Sequence, residues 1–316
     1  MELAPTRRSV APLVVYGPLR SGTTMIRLML DGHPELIAPG ESDFLFDHLQ
    51  ARAGSWRYDV PALAADRIYQ DNPVQMKKHL AGDATLRDMV QQIGRYGQGR
   101  PVLMLHRHLS ACADLMPSLR VIRLLRDPRD VARSSIGMGW AGNLFHGLDP
   151  WLETERSWRE FASNHPHVPQ HVLRYEDLVT DPKGELLKIC KFLGITYTDD
   201  MLSYPSRTSY APPDPGLVFQ WRKKMSDRDV QLVEARAGSF WEGCGYERSG
   251  MPPLHLSAAD KRRLWLQNRA YVWRHLIRRH GPVAPILRGL GRRLRLRRLE
   301  HAAAARIARN DRNYLK

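Results

Sequence analysis

The 316-residue sequence predicts an α/β fold of three layers, a central parallel sheet between two layers of helices, extended at its C-terminus by a basic helical segment. Three observations carry this. Short apolar runs bounded by turn residues alternate with longer helical patterns, which is how a parallel sheet covered on both faces reads. The first apolar run ends in a glycine loop that opens a helix. The charge, finally, is uneven: 48 Lys+Arg face 33 Asp+Glu, yet residues 251–316 hold 17 of the bases and only 3 of the acids. A nearly neutral body of residues 1–250 therefore carries a basic extension of residues 251–316. The 43% hydrophobic and 26% charged fractions are those of a globular chain and exclude collagen, a wholly disordered chain and a membrane bundle.

Five apolar runs of strand length are expected as strands: 12–17, 35–38, 102–105, 121–125 and 172–175. Helical patterns fall at 23–30, 44–50, 130–138, 151–161 and 184–192. Residues 52–100 look like a mostly helical insertion, and 205–215 is a proline-rich connection. In such sheets ligands sit at the carboxyl ends of the strands, so the residues that follow each run are the place to look.

The first strand runs into Gly17-Pro18-Leu19-Arg20-Ser21-Gly22-Thr23-Thr24 and then a helix. The two glycines permit a tight turn, and the helix N-terminus with the loop N–H groups forms an anion cradle. The spacing is nearly that of a P-loop, but Thr23 stands where the lysine belongs. A lysine-free loop suits the β and γ phosphates of ATP poorly, and its one cation, Arg20, sits earlier. The plain alternative is a capping cluster of Ser and Thr, which leaves Arg20 unexplained.

A second constellation closes the fourth strand: Arg126-Asp127-Pro128-Arg129-Asp130-Val131-Ala132-Arg133-Ser134. Pro128 stops the strand and suits the first turn of a helix, leaving Arg126 at the strand end and Ser134 inside the helix. Two anion donors suggest a nucleotide with phosphates at both ends. Structural ion pairing is the alternative.

These segments, with Arg174-Tyr175-Glu176-Asp177-Leu178 and Trp221-Arg222-Lys223-Lys224 ahead of Gly245-Tyr246, resemble the sulfotransferases that use 3′-phosphoadenosine 5′-phosphosulfate (PAPS), most closely the bacterial branch. The resemblance spans about residues 10–250 and implies a P-loop-like α/β fold. It implies that Arg20, Ser21, Gly22, Thr23 and Thr24 hold the 5′-phosphosulfate, that Arg126 and Ser134 hold the 3′-phosphate, and that Tyr175 contacts the adenine. Animal cytosolic members commonly have lysine at the Arg20 position and tryptophan at the Met25 position. Where many members have an Arg-Lys-Gly run, this chain has Asp214-Pro215-Gly216, with Arg222, Lys223 or Lys224 as substitutes for the missing charge.

The implied reaction moves the sulfuryl group of PAPS to an acceptor hydroxyl and releases adenosine 3′,5′-bisphosphate, with no metal required, since side chains and backbone donors can neutralise the charge. The acceptor hydroxyl needs a base. Glu41, after the second strand, matches a glutamate of glycan and tyrosyl sulfotransferases, and Phe44 and Phe46 are expected to wall it from water. His108, in Leu105-His106-Arg107-His108-Leu109, matches the histidine of the cytosolic branch. Glu41 is preferred. The acceptor class, whether glycan, lipid or small metabolite, is not encoded in any motif. On loop spacing alone the alternative is a P-loop nucleotide kinase-like phosphotransferase, which would need Mg²⁺ and a lysine.

The three cysteines, Cys112, Cys190 and Cys244, suggest neither a disulfide framework nor a zinc site. No apolar stretch has membrane-span length, and Met1 to Arg8 does not lead into a signal-peptide core. The expected location is the cytoplasm, peripheral at a membrane if the tail binds one. In the tail, Leu266, Ala270, Trp273 and Ile277 recur at helical spacing, and Leu287, Leu290 and Leu294 repeat the pattern. Such a segment packs its apolar stripe on the body, or lies on an anionic membrane or lipid-linked acceptor. Nucleic acid is the least favoured partner, since no recognisable module supports it.

Overall fold

The computed structural model describes residues 11–294 other than 53, 96 and 97, and beyond them 296, 299, 300, 302–304, 306, 307 and 310. The expectation for Met1 to Arg8 lies outside the described residues. The chain divides into two compact units, residues 1–127 with 150–223, and residues 128–149 with 224–316.

Among the described residues of the first unit seven strands form: β1 (Leu13–Tyr16), β2 (Leu36–Ile37), β3 (Leu49–Arg52), β4 (Ser55–Tyr58), β5 (Arg100–Leu105), β6 (Arg120–Leu125) and β7 (Gln170–Arg174). Five of them make one parallel sheet in the order β2-β5-β1-β6-β7. All five expected runs are thus strands of one sheet, and the expected parallel architecture is the observed one. In register, Val15 lies between Met104 and Ile122.

Successive side chains of a strand point to opposite faces, and the core divides accordingly. Val14, Tyr16, Leu103, Leu105 and Val121 join one apolar cluster with the helices Gly82–Arg95, Leu109–Leu115 and Asp149–Asn164. Leu13, Val15, Met104, Ile122 and Leu124 join the other, with the helices Thr23–Leu30, Tyr175–Thr180 and Pro182–Leu193. Because both faces are covered, Leu13–Tyr16 and Val102–Leu105 read as unbroken apolar runs, and β6 is interrupted between Val121 and Leu125 only by Arg123, which pairs with Glu155.

One expected helix is shorter than the pattern 44–50 suggests. It stops at Asp47, and Leu49–Arg52 instead pairs antiparallel with Ser55–Tyr58 across a turn at Gly54, whose φ is +77°. Trp56 and Tyr58 alternate with polar neighbours and pack against the first cluster, and the Tyr58 hydroxyl donates to Leu45 O at 2.7 Å. That packing holds the hairpin against continuation of the helix. Tyr175, expected as the last residue of a strand, begins the next helix. The stretch 52–100 is helical after the hairpin, with Asp59 and Asp66 capping the helices Val60–Ala65 and Arg67–Asp71.

The second unit is helical. Pro128 is the first residue of the helix Pro128–Gly137, as its fixed φ favours. Arg129 in that helix is buried and pairs with Glu234 at 3.1 Å, its guanidinium 4.8 Å above the Trp241 ring. Ser257 and Asp260 make a reciprocal capping box that starts the helix Ala258–His280, and the helix Val283–Arg293 follows.

Position in the sheet sets the cost of a truncation. Ile122 is fully buried in a strand bordered by β1 and β7, whereas Val172 on the edge strand β7 is 49% exposed. Ile122→Ala is expected to cost about 2–5 kcal/mol, and Val172→Ala less than about 1 kcal/mol. Urea unfolding midpoints at equal m-value check this.

Candidate active site

The carboxyl ends of all five parallel strands carry the residues singled out from the sequence: Gly17 to Thr24 after β1, Glu41 after β2, His106 to His108 after β5, Arg126 after β6 and Tyr175 after β7. Ser134 lies in the second unit, half-buried on the helix Pro128–Gly137.

The loop after β1 is held open by its backbone. Arg20 and Gly22 both take left-handed φ values, +71° and +91°, which a side chain disfavours and a glycine accepts. Ser21 is fully buried, its hydroxyl donating to Pro18 O at 2.6 Å, so it stabilises the loop from within. Arg20 and Thr24 are exposed, and Thr23 is half-buried at the start of the helix Thr23–Leu30. The first intrahelical bond of that end runs from Ile26 N to Gly22 O. The N–H groups ahead of it belong to the anion-attracting end of the helix.

Three neighbouring strand ends clamp this loop. His106, after β5, is buried and donates from Nδ1 to Gly17 O at 2.8 Å. Arg126, after β6, donates from Nη1 to Arg20 O at 2.9 Å while its guanidinium lies 4.1 Å above the ring of Tyr175. Tyr175, after β7, is buried with its ring packed on Gly22, where a Cβ would come within 2.4 Å of it. Met25 is buried in the apolar core.

The two candidate bases differ in surroundings. Ser42 N donates to Met104 O at 3.0 Å, setting Glu41 beside the end of β5. The Glu41 side chain is exposed and makes no hydrogen bond among the described residues. Phe44 and Phe46, expected to wall it from water, are instead buried in the first apolar cluster. Their place at the start of the helix Phe44–Asp47 turns them inward and leaves Glu41 in solvent. Glu41 also lies within electrostatic reach of Arg27 and Arg107.

His108 is committed to a partner. Its Nε2 is 2.9 Å from Asp47 Oδ1, and its ring stacks on Phe46 with centroids 6.5 Å apart. Arg107 grips the same carboxylate through Nε and Nη2. Burial pushes the Asp47 carboxyl up, but the hydrogen bonds from His108 and Arg107 outweigh it and hold the pKa at about 2. Asp43 behaves oppositely: burial pushes its carboxyl up, even though it accepts the His106 and Arg107 N–H groups at 3.0 and 3.3 Å.

Asp43 and Asp47 are structural members of the site to which the sequence assigned no role, and His106 and Glu176, quoted only within longer runs, prove to be structural members too. Glu176 accepts the Asp127 N–H at 3.0 Å. A signal existed for it in the acidic pair that follows Tyr175, read in the sequence only as part of a longer run. Arg222, one of the substitutes for the missing charge, lies over Phe219 and Trp221 at 4.9 and 5.5 Å.

The chain is similar to several known proteins. A protein-tyrosine sulfotransferase of Drosophila melanogaster is 24% identical over 250 residues, which cover 73% of this chain and 47% of that protein. Protein-tyrosine sulfotransferase 2 of Gallus gallus is 24% identical over 245 residues, 73% of this chain and 63% of its own. The chain thus spans about half the length of the fly protein and under two thirds of the chicken one. Among solved structures, the sulfotransferase domain from the curacin biosynthetic pathway superposes with a TM-score of 0.54 at 18% identity, over 73% of this chain and 98% of that domain. The sulfotransferase domain of the Synechococcus olefin synthase gives 0.50 at 20% identity, over 75% and 98%. These likenesses establish a shared fold. Residues 12–199, which take in the whole parallel sheet with its five loaded strand ends, match the sulfotransferase family, and with more than half of its length inside that match the chain belongs to that family.

Proposed function

We propose that this chain transfers the sulfuryl group of PAPS to a hydroxyl of an acceptor molecule. The observation that carries the reading is the lysine-free loop after β1, clamped by Arg126 and Tyr175, with Arg20 exposed on it. Family membership supports it. A nucleotide kinase would need the lysine that Thr23 replaces.

In this reading the loop N–H groups and Thr23 and Thr24 hold the 5′-phosphosulfate. Arg126 lies against an aromatic face and bonds a carbonyl, so its charge is not cancelled by a carboxylate in either contact, and it takes the 3′-phosphate. Tyr175, beneath Arg126, lies beside the adenine. The acceptor oxygen attacks sulfur, the bond from sulfur to the bridging oxygen breaks, and adenosine 3′,5′-bisphosphate leaves with that oxygen's electron pair. Arg20 offsets the charge that grows on the bridging oxygen. Glu41 takes the proton of the acceptor hydroxyl. It is preferred over His108 because its carboxylate has no hydrogen-bond partner among the described residues, whereas Nε2 of His108 is held by Asp47. The names of the curated relatives suggest a tyrosine hydroxyl as one kind of acceptor.

Calorimetry should find adenosine 3′,5′-bisphosphate binding without added Mg²⁺ and ATP binding far more weakly. Arg126→Ala should weaken the bisphosphate by about 1.5–3 kcal/mol, the worth of a charge-assisted contact. Comparable affinity for ATP would sink the assignment.

Arg20→Ala should act on a different quantity. A partner whose charge grows in the transition state lowers turnover more than nucleotide affinity when removed. In a steady-state sulfate-transfer assay kcat should fall while bisphosphate Kd changes little; the reverse pattern contradicts the role.

Replacing Glu41 by Gln keeps the shape and removes the base, so turnover should drop roughly 100-fold or more with nucleotide binding intact. His108→Asn should cost much less. Reversed magnitudes in a radiolabelled transfer assay would move the base to the histidine.

A further inference from the structure

The helix Ala258–His280 has two stripes with the same 4, 3, 4 spacing. Leu266, Ala270, Trp273 and Ile277 form the apolar one; Leu264, Asn268, Tyr271 and His275 form the other. Apolar periodicity selects the first as the buried face. The structure packs the second. Asn268 Oδ1 accepts the Gly142 N–H at 2.7 Å, and Asn143 Nδ2 donates to Leu264 O at 2.7 Å. A Cβ on Gly142 would meet Tyr271 at 2.4 Å, and one on Gly139 would meet His275 at 2.3 Å. Two glycines admit the helix closely and two hydrogen bonds fix its rotation, so the apolar stripe faces outward. Leu266 is 53% exposed, and only Trp273 is covered in part, its ring lying 3.6 Å from where a Cβ on Gly289 would sit.

The next helix repeats the arrangement. Its exposed positions Val283, Ile286 and Leu290, continued by the capping residue Leu294, follow one another at intervals of three, four and four, a single helical face, with Val283 51% and Leu294 60% exposed. Among the described residues, nine of the fifteen exposed large apolar side chains lie between Trp265 and Leu296, eight of them away from the packed stripe and the ninth, Tyr271, on its margin. Scattered exposed apolar residues need no explanation, but a concentration of this kind does.

Charge narrows the occupant. Residues 258–293 contain ten Lys and Arg and a single acid, Asp260. A second copy of the chain seated face to face would set this excess against itself. A nucleic acid would neutralise the arginines and leave the aliphatic stripes in water. A surface that is anionic at its rim and apolar a few ångströms below satisfies both. No described helix is long and apolar enough to cross a membrane, so the contact is one of lying on the surface.

We propose that the helices Ala258–His280 and Val283–Arg293 dock the protein on an anionic lipid bilayer, apolar stripes in the headgroup region and arginines on lipid phosphates. The inference does not rest on the sulfuryl-transfer reading. The test is flotation of the full chain with phosphatidylcholine vesicles, with and without phosphatidylglycerol. The chain should float with the anionic vesicles alone, and raised salt should release it. The double change Ile286→Ser with Leu290→Ser, and separately Arg262→Glu with Arg274→Glu, should each lower binding at least about tenfold at unchanged melting temperature. Failure of the unaltered chain to float, equal flotation with neutral vesicles, or flotation indifferent to both pairs overturns the proposal. A dimer in light scattering that the serine pair dissociates, without flotation, assigns the face to a second copy and likewise overturns it. Should the serine pair unfold the protein, the arginine pair, at exposed positions, decides.

Discussion

Between Tyr16 at the end of β1 and Thr23 at the start of its helix, the chain passes through two left-handed residues, Arg20 and Gly22. For glycine this is free of steric cost, but for arginine it costs on the order of 1–3 kcal/mol and persists only where the surroundings over-determine it. Here they do. His106 holds the first carbonyl of the loop, Arg126 holds the carbonyl of Arg20 itself, and the Tyr175 ring occupies the space that any side chain at position 22 would need. Each clamp comes from a different strand end, so the loop keeps its shape only if β5, β6 and β7 stand in their observed order around β1.

The same logic extends one layer outward, where carboxylates set the clamps. Asp43 accepts the N–H groups of His106 and Arg107, fixing the chain as it leaves β5. Glu176 accepts the N–H of Asp127, fixing it as it leaves β6. In both cases a carboxylate from one strand-to-helix transition satisfies backbone donors at another. A carboxylate buried with backbone partners is expensive to remove, because its donors would be left unsatisfied. The buried acids around the site therefore hold the backbone, and Asp43 shares the Arg107 side chain with Asp47 as well.

The sheet was legible because β1 and β5 are apolar on both faces and because Gly17 and Pro128 stand just past the ends of β1 and β6. The loop after β1 and the Arg126-Asp127-Pro128 stop were legible for the related reason that strand-to-helix transitions use few residue types. The hairpin Leu49–Tyr58 was not, since Phe44-Leu45-Phe46 supports a helical pattern into its first strand and four-residue strands show little alternation. Nor could periodicity tell that Phe44 and Phe46 turn away from Glu41, or that Met25 joins the core. The tail was legible as a helix but not in which face it packs. Two stripes shared one spacing, hydrophobicity favoured Leu266-Ala270-Trp273-Ile277, and close approach at Gly139 and Gly142 decided for the other.

Net charge has the same weakness as periodicity, in that it treats alike residues whose surroundings differ. Residues 1–250 carry 31 bases against 30 acids, a balance that by itself speaks against an anion site. The structure sorts those bases. Arg107 is bound to Asp47, Arg123 to Glu155 at 2.6 Å, and Arg129 to Glu234, each cancelled by a carboxylate in direct contact. Arg126 instead meets a carbonyl oxygen and an aromatic face, which orient a guanidinium without neutralising it. A body close to neutral overall can thus leave a guanidinium at the end of β6 whose two contacts here, a carbonyl oxygen and an aromatic ring, carry no opposing charge.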